Sequence, residues 1–113
     1  MDIRRIAAIL NAKTCCDDLL LDQEVENACG SDMMSDVLAF ALDHGILLTG
    51  LVNAQVIRTA HMMDMYCVAF LRGKTPTPET CRLAEENGIA VLLSEMGMYE
   101  ACGLLYEQGL GRK

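Results

Sequence analysis

The sequence predicts an α/β fold, a mostly parallel sheet flanked by helices, and three observations carry that reading. Residues 65–71 and 89–93 are unbroken apolar runs of strand length. Strands that are apolar throughout are buried on both faces, as in parallel sheets covered by helices. Between the runs, Thr77-Pro78-Glu79 has the order of a helix start: a hydroxyl cap, proline at the first helical position and an acid in the first turn. Asn87-Gly88 then offers the left-handed stop that ends many helices. The stretch 65–94 is therefore a strand–helix–strand unit, and the remaining elements alternate around it.

Taken in order, residues 2–12 place Ile3, Ile6, Ala7 and Leu10 at helical spacing with charge opposite, which predicts an amphipathic helix. Residues 13–16 suit a short strand, Asp17-Asp18 a turn, and 19–22 either state. Residues 23–29 alternate as a strand, with Val25 and Asn27 toward the sheet. Gly30-Ser31-Asp32 supplies caps for a helix over 33–43 whose inward stripe is Met34, Val37, Leu38 and Ala41. His44-Gly45 ends it, 46–48 is a strand, and 53–63 is a helix with Val56, Ile57, Ala60 and Met63 inward. In the helix of the central unit, Leu83 and Ala84 point inward; after Gly97 a last helix carries Met98, Ala101, Cys102 and Leu105 on one face and stops at Gly109. No repeat or linker divides the chain, so residues 1–113 read as a single domain.

Composition narrows the function classes. Apolar residues make up 52 % of 113, too many for a disordered chain. No apolar run approaches the roughly 20 residues that a membrane helix needs. The N-terminal apolar stretch 6–10 is too short for a signal peptide core and no cleavage site follows, which predicts a cytoplasmic protein. Net charge is −7, and the few bases form no stripe, so nucleic acid is excluded as a partner.

The six cysteines, Cys15, Cys16, Cys29, Cys67, Cys81 and Cys102, show no C-x-x-C or Cys/His cluster, which argues against a metal site. They read as small buried hydrophobes in a reducing compartment. Cys15, Cys16 and Cys29 lie near turns, and exposure there would make a redox-active thiol protein the third functional reading. His44 reads as a cation at a helix C-terminus and His61 as a polar residue on a helix face. No catalytic constellation and no cofactor motif emerges; neither G-x-x-x-x-G-K-[ST] nor a Gly-rich kinase loop is present.

Several pieces in the same order give the chain a family resemblance: the opening helix IRRIAAILNAK, then CGSDMMSDVLAFA, the turn RGKTPTPET, the segment AEENGIAVLLS and the closing helix YEACGLLYEQGL. Together they resemble the DRTGG domain, in its small stand-alone form. The resemblance implies a flavodoxin-like or Mur-ligase-like α/β domain. It further implies similarity to the DRTGG domains of pyrophosphatases and phosphotransacetylases and to the N-terminal, non-catalytic domain of HPr serine kinase. Small relatives of this kind are associated with hydrogenase or other redox-enzyme subunits. The Asp-Arg pair of the family name is absent here: the loop after Leu48 reads Thr49-Gly50-Leu51-Val52-Asn53.

A ligand in an open parallel sheet sits beyond the carboxyl ends of the strands. The loops there are 29–32, 49–53, 72–75 and 94–97, and their candidate ligand-binding residues are Thr49, Gly50, Asn53, Arg72, Lys74 and Ser94. Arg72 and Lys74 are the bases among them, which suits a phosphate or carboxylate. The sequence thus reads as a non-catalytic regulatory or adaptor domain, homodimeric through its methionine-rich apolar surface, with sensing of a nucleotide or other small anion as the alternative.

Overall fold

The structure, a computed structural model, describes residues 1–111. Five strands form one sheet in the order β1-β5-β4-β3-β2. Their bounds are β1 Lys13–Thr14, β2 Asn27–Gly30, β3 Gly45–Thr49, β4 Cys67–Phe70 and β5 Ala90–Leu93. Strands β2 to β5 run parallel, and β1 pairs antiparallel with β5, Lys13 opposite Leu93. The helices are α1 Ile3–Ile9, α2 Met34–Phe40, α3 Ala54–Met62, α4 Pro78–Glu86 and α5 Met98–Glu107, with a short 3₁₀ turn at Asp18–Asp22. The predicted α/β class and the mostly parallel sheet stand.

The apolar runs are buried for the reason their composition implies. All five residues of β3 and all four of β4 are buried, and they alternate between two cores. Leu47, Val68, Phe70 and Val91 meet Val37 of α2, Val56, Ile57 and Ala60 of α3, and Ala84 of α4. Ile46, Leu48, Cys67, Ala69, Ala90 and Leu92 meet Ile3, Ile6 and Ala7 of α1 and Ala101 and Leu105 of α5. The result is three layers. From β2 to β5 the chain steps one strand at a time in a single direction, and right-handed crossovers made that way leave every connecting helix on one face. The opposite face must be covered by what precedes and follows: α1 and α5.

Local chemistry sets the ends of the elements. Thr77 Oγ1 accepts from Thr80 N at 3.2 Å with Pro78 first in α4, as predicted, and Gly88 takes φ +68. Asp2 caps α1 through Arg5 N at 2.7 Å. Gly45 starts β3 where a side chain would collide with Asn27: an added Cβ would overlap Asn27 Oδ1 and lie 3.1 Å from its carbonyl oxygen. Asn27 cannot swing aside without losing the bond from its Nδ2 to Asp43 O at 2.8 Å.

Four expectations need correction. The strand expected over 23–29 begins only at Asn27, because Gln23 still closes the 3₁₀ turn and residues 24–25 bond to the N-terminal residues instead: Glu24 bridges Asp2, and Val25 N donates to Met1 O. The helix expected over 33–43 is only Met34–Phe40, since Ala41 turns to extended backbone (ψ 147). Leu38 consequently leaves the inward stripe and is 43 % exposed, while Val37 and Ala41 stay buried. His44 is not a helix-end cation: it sits four residues beyond α2 at φ +59, stacked on Tyr66 with ring centroids 5.0 Å apart. In α4 it is Thr80 that joins Ala84 in full burial, with Leu83 half-buried against the same core.

One core position carries an avoidable cost. Thr59 on α3 is 1 % exposed and its Oγ1 has no hydrogen-bond partner among the described residues. A buried hydroxyl without a partner costs about 1–3 kcal/mol. Thr59→Val, which keeps the shape and removes the hydroxyl, is therefore expected to raise unfolding stability by about 1 kcal/mol in urea titration; a loss of stability would contradict the burial of an unsatisfied oxygen.

Candidate functional site

The carboxyl ends of the parallel strands gather the four predicted loops at one edge. Two of them leave for opposite faces: the loop after β4 runs to α4, over the core shared with α2 and α3, while the loop after β5 runs to α5, over the core shared with α1. Adjacent parallel strands whose connections part in this way open a crevice between their ends. In this chain the crevice lies between β4 and β5.

The β4 side of the crevice is a tight turn. Arg72 and Gly73 both take left-handed backbone, φ +61 and +68, and Lys74 N donates back to Leu71 O at 3.3 Å. Two left-handed residues in a row are the pattern of a type I′ turn. Gly73 bears this without strain; Arg72, with its side chain, does not. Backbone bonds hold the turn from the β5 side, Arg72 N to Met96 O at 2.9 Å and Gly73 N to Ser94 O at 3.0 Å. A non-glycine residue kept in this region marks a place where the surroundings dictate the backbone, and such places concentrate at functional sites.

Next to the turn is a pocket of about 580 Å³ lined by Asn11, Lys13, Gly73, Lys74, Ser94 and Glu95, among others. Antiparallel pairing of β1 with β5 is what brings Lys13 there, opposite Leu93. Both lysines are exposed, and neither has an ion-pair partner among the described residues. Ser94 does not reach into the pocket with a free hydroxyl. Its Oγ is buried, donating to Leu10 O at 2.7 Å and accepting from Met96 N at 3.2 Å, so it fastens the β5 loop to the end of α1.

Thr49 and Gly50 are likewise held from within. Thr49 Oγ1 is buried, donates to Asp32 Oδ1 at 3.0 Å and accepts from Leu51 N at 3.1 Å; Gly50 N donates to the same carboxylate oxygen at 2.7 Å. Asp32 therefore does not cap α2, as its position suggests, but ties the loop after β2 to the loop after β3. Its carboxyl is held below the usual range, first by the Gly50 N–H, then by the Thr49 hydroxyl and the charges of Arg72 and Lys74, against partial burial. Asn53 stands at the N-cap position of α3 without a side-chain capping bond and lines a different trough, between α3 and α4, with Arg58, Thr77 and Arg82.

The structure thus places Lys74 on the pocket and Arg72 in the turn beside it, fixes the β5 loop through Ser94, ties the β2 and β3 loops through Thr49 and Gly50, and sets Asn53 apart. Lys13 and Asp32 escaped the sequence reading. Lys13 had no signal, because only strand pairing carries it to the site; Asp32 could have been found as a carboxylate in a carboxyl-end loop.

A larger pocket, about 740 Å³, opens at the other end of the sheet, where Glu24, Glu26 and Asp64 line it with His44 and His61. Three carboxylates make it a poor receptor for an anion. Among the cysteines, burial pushes the thiols of Cys16, Cys29, Cys67 and Cys102 upward, Cys67 most strongly. No cluster of three or more metal-ligating side chains occurs among the described residues. No described helix is long and apolar enough to cross a membrane.

Comparison with solved structures gives several likenesses, among them a regulatory region of a pyrophosphatase. The chain superposes with a TM-score of 0.69 on the CBS and DRTGG domains of the regulatory region of Clostridium perfringens pyrophosphatase, solved as a complex with its activator diadenosine tetraphosphate. Identity is 16 %, and the match covers 92 % of this chain and 45 % of that one. The fold is DRTGG-like. No protein-family description and no curated relative matches the chain.

The role of Asp32 can be measured. Asp32→Ala removes the acceptor of two hydrogen bonds and should destabilise the fold by about 1–2 kcal/mol at neutral pH. Because the folded-state pKa is depressed, the carboxylate form favours folding: its contribution is complete above the ordinary carboxylate pKa of about 3.9 and fades as pH falls through the lower folded value. The gap between wild type and variant, followed by urea titration, should therefore shrink in acid; a gap that widens as pH falls would overturn the assignment.

Proposed function

We propose that this chain is a non-catalytic regulatory domain that senses a small anionic ligand, a nucleotide phosphate in the first instance, at the crevice between β4 and β5. The observation that carries the reading is the pair Lys13 and Lys74 lining one pocket beside the pinned Arg72-Gly73 turn. On a chain of net charge −7, two exposed lysines lining one pocket make a local positive field where the loops converge. Arg72, in the turn beside that pocket but not on its lining, carries a planar donor fork of a kind that suits phosphate or carboxylate. Ser94 supports the site by fixing the β5 loop, Thr49 and Gly50 hold the neighbouring β2 and β3 loops together through Asp32, and Asn53 lies outside the crevice. The fold neighbour, a regulatory region bound to a dinucleotide activator, supports both the regulatory role and the nucleotide class.

Binding to the folded state alone stabilises it, by about 2.7 kcal/mol at 100 times Kd. A thermal-shift panel of AMP, ADP, ATP and diadenosine tetraphosphate, with inorganic phosphate alongside, should show at least one clear rise in Tm. Lys74→Ala and Lys13→Ala should each weaken that ligand about tenfold, roughly 1.4 kcal/mol per lost charge contact. No shift with any anion at millimolar concentration would sink the proposal.

The assembly we infer is a homodimer through the β2 edge and α2. Among the described residues β2 has no strand on its outer side, and it contains no charged residue of the kind that usually guards an edge. Beside it, Leu38, Phe40 and Leu42 are 43 %, 76 % and 64 % exposed. A two-fold pairing of β2 with a second β2 would continue the sheet, bring no like charges of β2 together and cover those side chains. Light scattering at micromolar concentration should give twice the mass of one chain, and Phe40→Glu should reduce it to one; a monomeric wild type would refute the interface. The family resemblance, not the geometry, is what points to a hydrogenase or other redox enzyme as the partner being regulated.

A further inference from the structure

Cys15 and Cys81 are 66 residues apart in sequence, yet their sulfurs lie 3.2 Å from one another. Cys15 directly follows β1 and is fixed there by its own backbone, Cys15 N donating to Val91 O at 3.0 Å. Cys81 stands in the first half of α4, whose start is set by the Thr77 cap and Pro78. Neither sulfur is brought to the other by a flexible tail; strand pairing and a capped helix hold both. Among the described cysteines no other sulfur contacts a second cysteine sulfur, and Cys102 reaches Met98 Sδ instead, at 3.7 Å.

We propose that Cys15 and Cys81 form a reversible dithiol–disulfide pair that staples the end of β1 to α4. A disulfide bond is about 2.0 Å long, so the sulfurs need approach by only about 1 Å. An open trough of about 680 Å³, lined by Cys15, Cys16, Thr75, Pro76, Pro78 and Cys81, lets a small oxidant in. The oxidant class is a low-molecular-weight disulfide, RSSR. The Cys15 thiolate, the more exposed partner, attacks one sulfur of RSSR and expels RS⁻, leaving a mixed disulfide on Cys15. Cys81, deprotonated, then attacks the Cys15 sulfur and expels the second RS⁻. The protein loses two protons and two electrons, the equivalent of two hydrogen atoms, and RSSR becomes two RSH.

The electrostatics match that order. In the reduced pair the Cys81 thiol is pushed up to about 11, first by desolvation and then by the bond to and the charge of Cys15. Cys81 thus keeps its proton while Cys15 is free. A mixed disulfide on Cys15 removes the Cys15 contributions to that rise and leaves desolvation, which eases ionisation of Cys81 for the second step. The inference stands independently of the ligand reading, although Thr75 lines both this trough and the Lys13–Lys74 pocket.

The test is incubation of the full-length protein with oxidised glutathione, followed by intact mass and non-reducing peptide mapping. The expected product has lost two hydrogens, carries no glutathione, runs as a single chain under denaturing non-reducing conditions, joins the Cys15 peptide to the Cys81 peptide and is restored by dithiothreitol. Cys81→Ser should stop the reaction at a glutathione adduct on Cys15. A wild-type adduct that persists on Cys15, a Cys15–Cys16 link, a bridge between chains or no reaction at all would each overturn the proposal, and these readouts on wild type decide it even if the serine variant folds poorly.

Discussion

Burial of β3, β4 and β5 on both faces is the constraint on which the rest of the molecule depends. Strands made of residues such as Ile46-Leu47-Leu48 and Cys67-Val68-Ala69-Phe70 leave no face for water, so helices must cover the sheet twice. The one-directional march from β2 to β5 supplies α2, α3 and α4 to only one of those faces. Covering the other obliges the chain to change sides after β5, with α5 joining α1. The crevice at the ends of β4 and β5 follows from that change. It is a by-product of satisfying the core.

Around the crevice, polar side chains divide into those that build and those that wait. Asp32, Thr49 and Ser94 spend their hydrogen-bonding capacity on neighbouring loops, each spanning a break between elements far apart in sequence. Arg72, Lys74 and Lys13 spend none on an ion pair among the described residues. A frame with ordered loops and exposed cations would lose little entropy on binding an anion of the proposed kind. The left-handed Arg72 belongs to the frame through its backbone, held by its N–H on Met96 O.

The opposite rim of the sheet is equally instructive. It holds both histidines and a larger pocket, but its carboxylates give it the wrong sign for phosphate. His44 is occupied there by stacking on Tyr66 and by Glu26 at 3.5 Å. Pocket size alone would favour that end; charge and topology favour the other as the proposed anion site.

Much of this was legible in the sequence because it is local. Apolar runs announce buried strands, Thr77-Pro78 and Gly88 announce the bounds of α4, and helical spacing announces Ile3, Ile6 and Ala7 or Ala101 and Leu105 as core. The carboxyl-end loops could be named once parallel strands were expected, and Arg72 and Lys74 with them. What the sequence could not reveal is whatever depends on pairing across distance. Strand order, the antiparallel β1 that delivers Lys13, the reach of Asp32 to Gly50 and the meeting of Cys15 with Cys81 all join residues at least 18 positions apart. No local pattern encodes those meetings. They are decided by which faces must be buried together, and only the assembled sheet makes that choice.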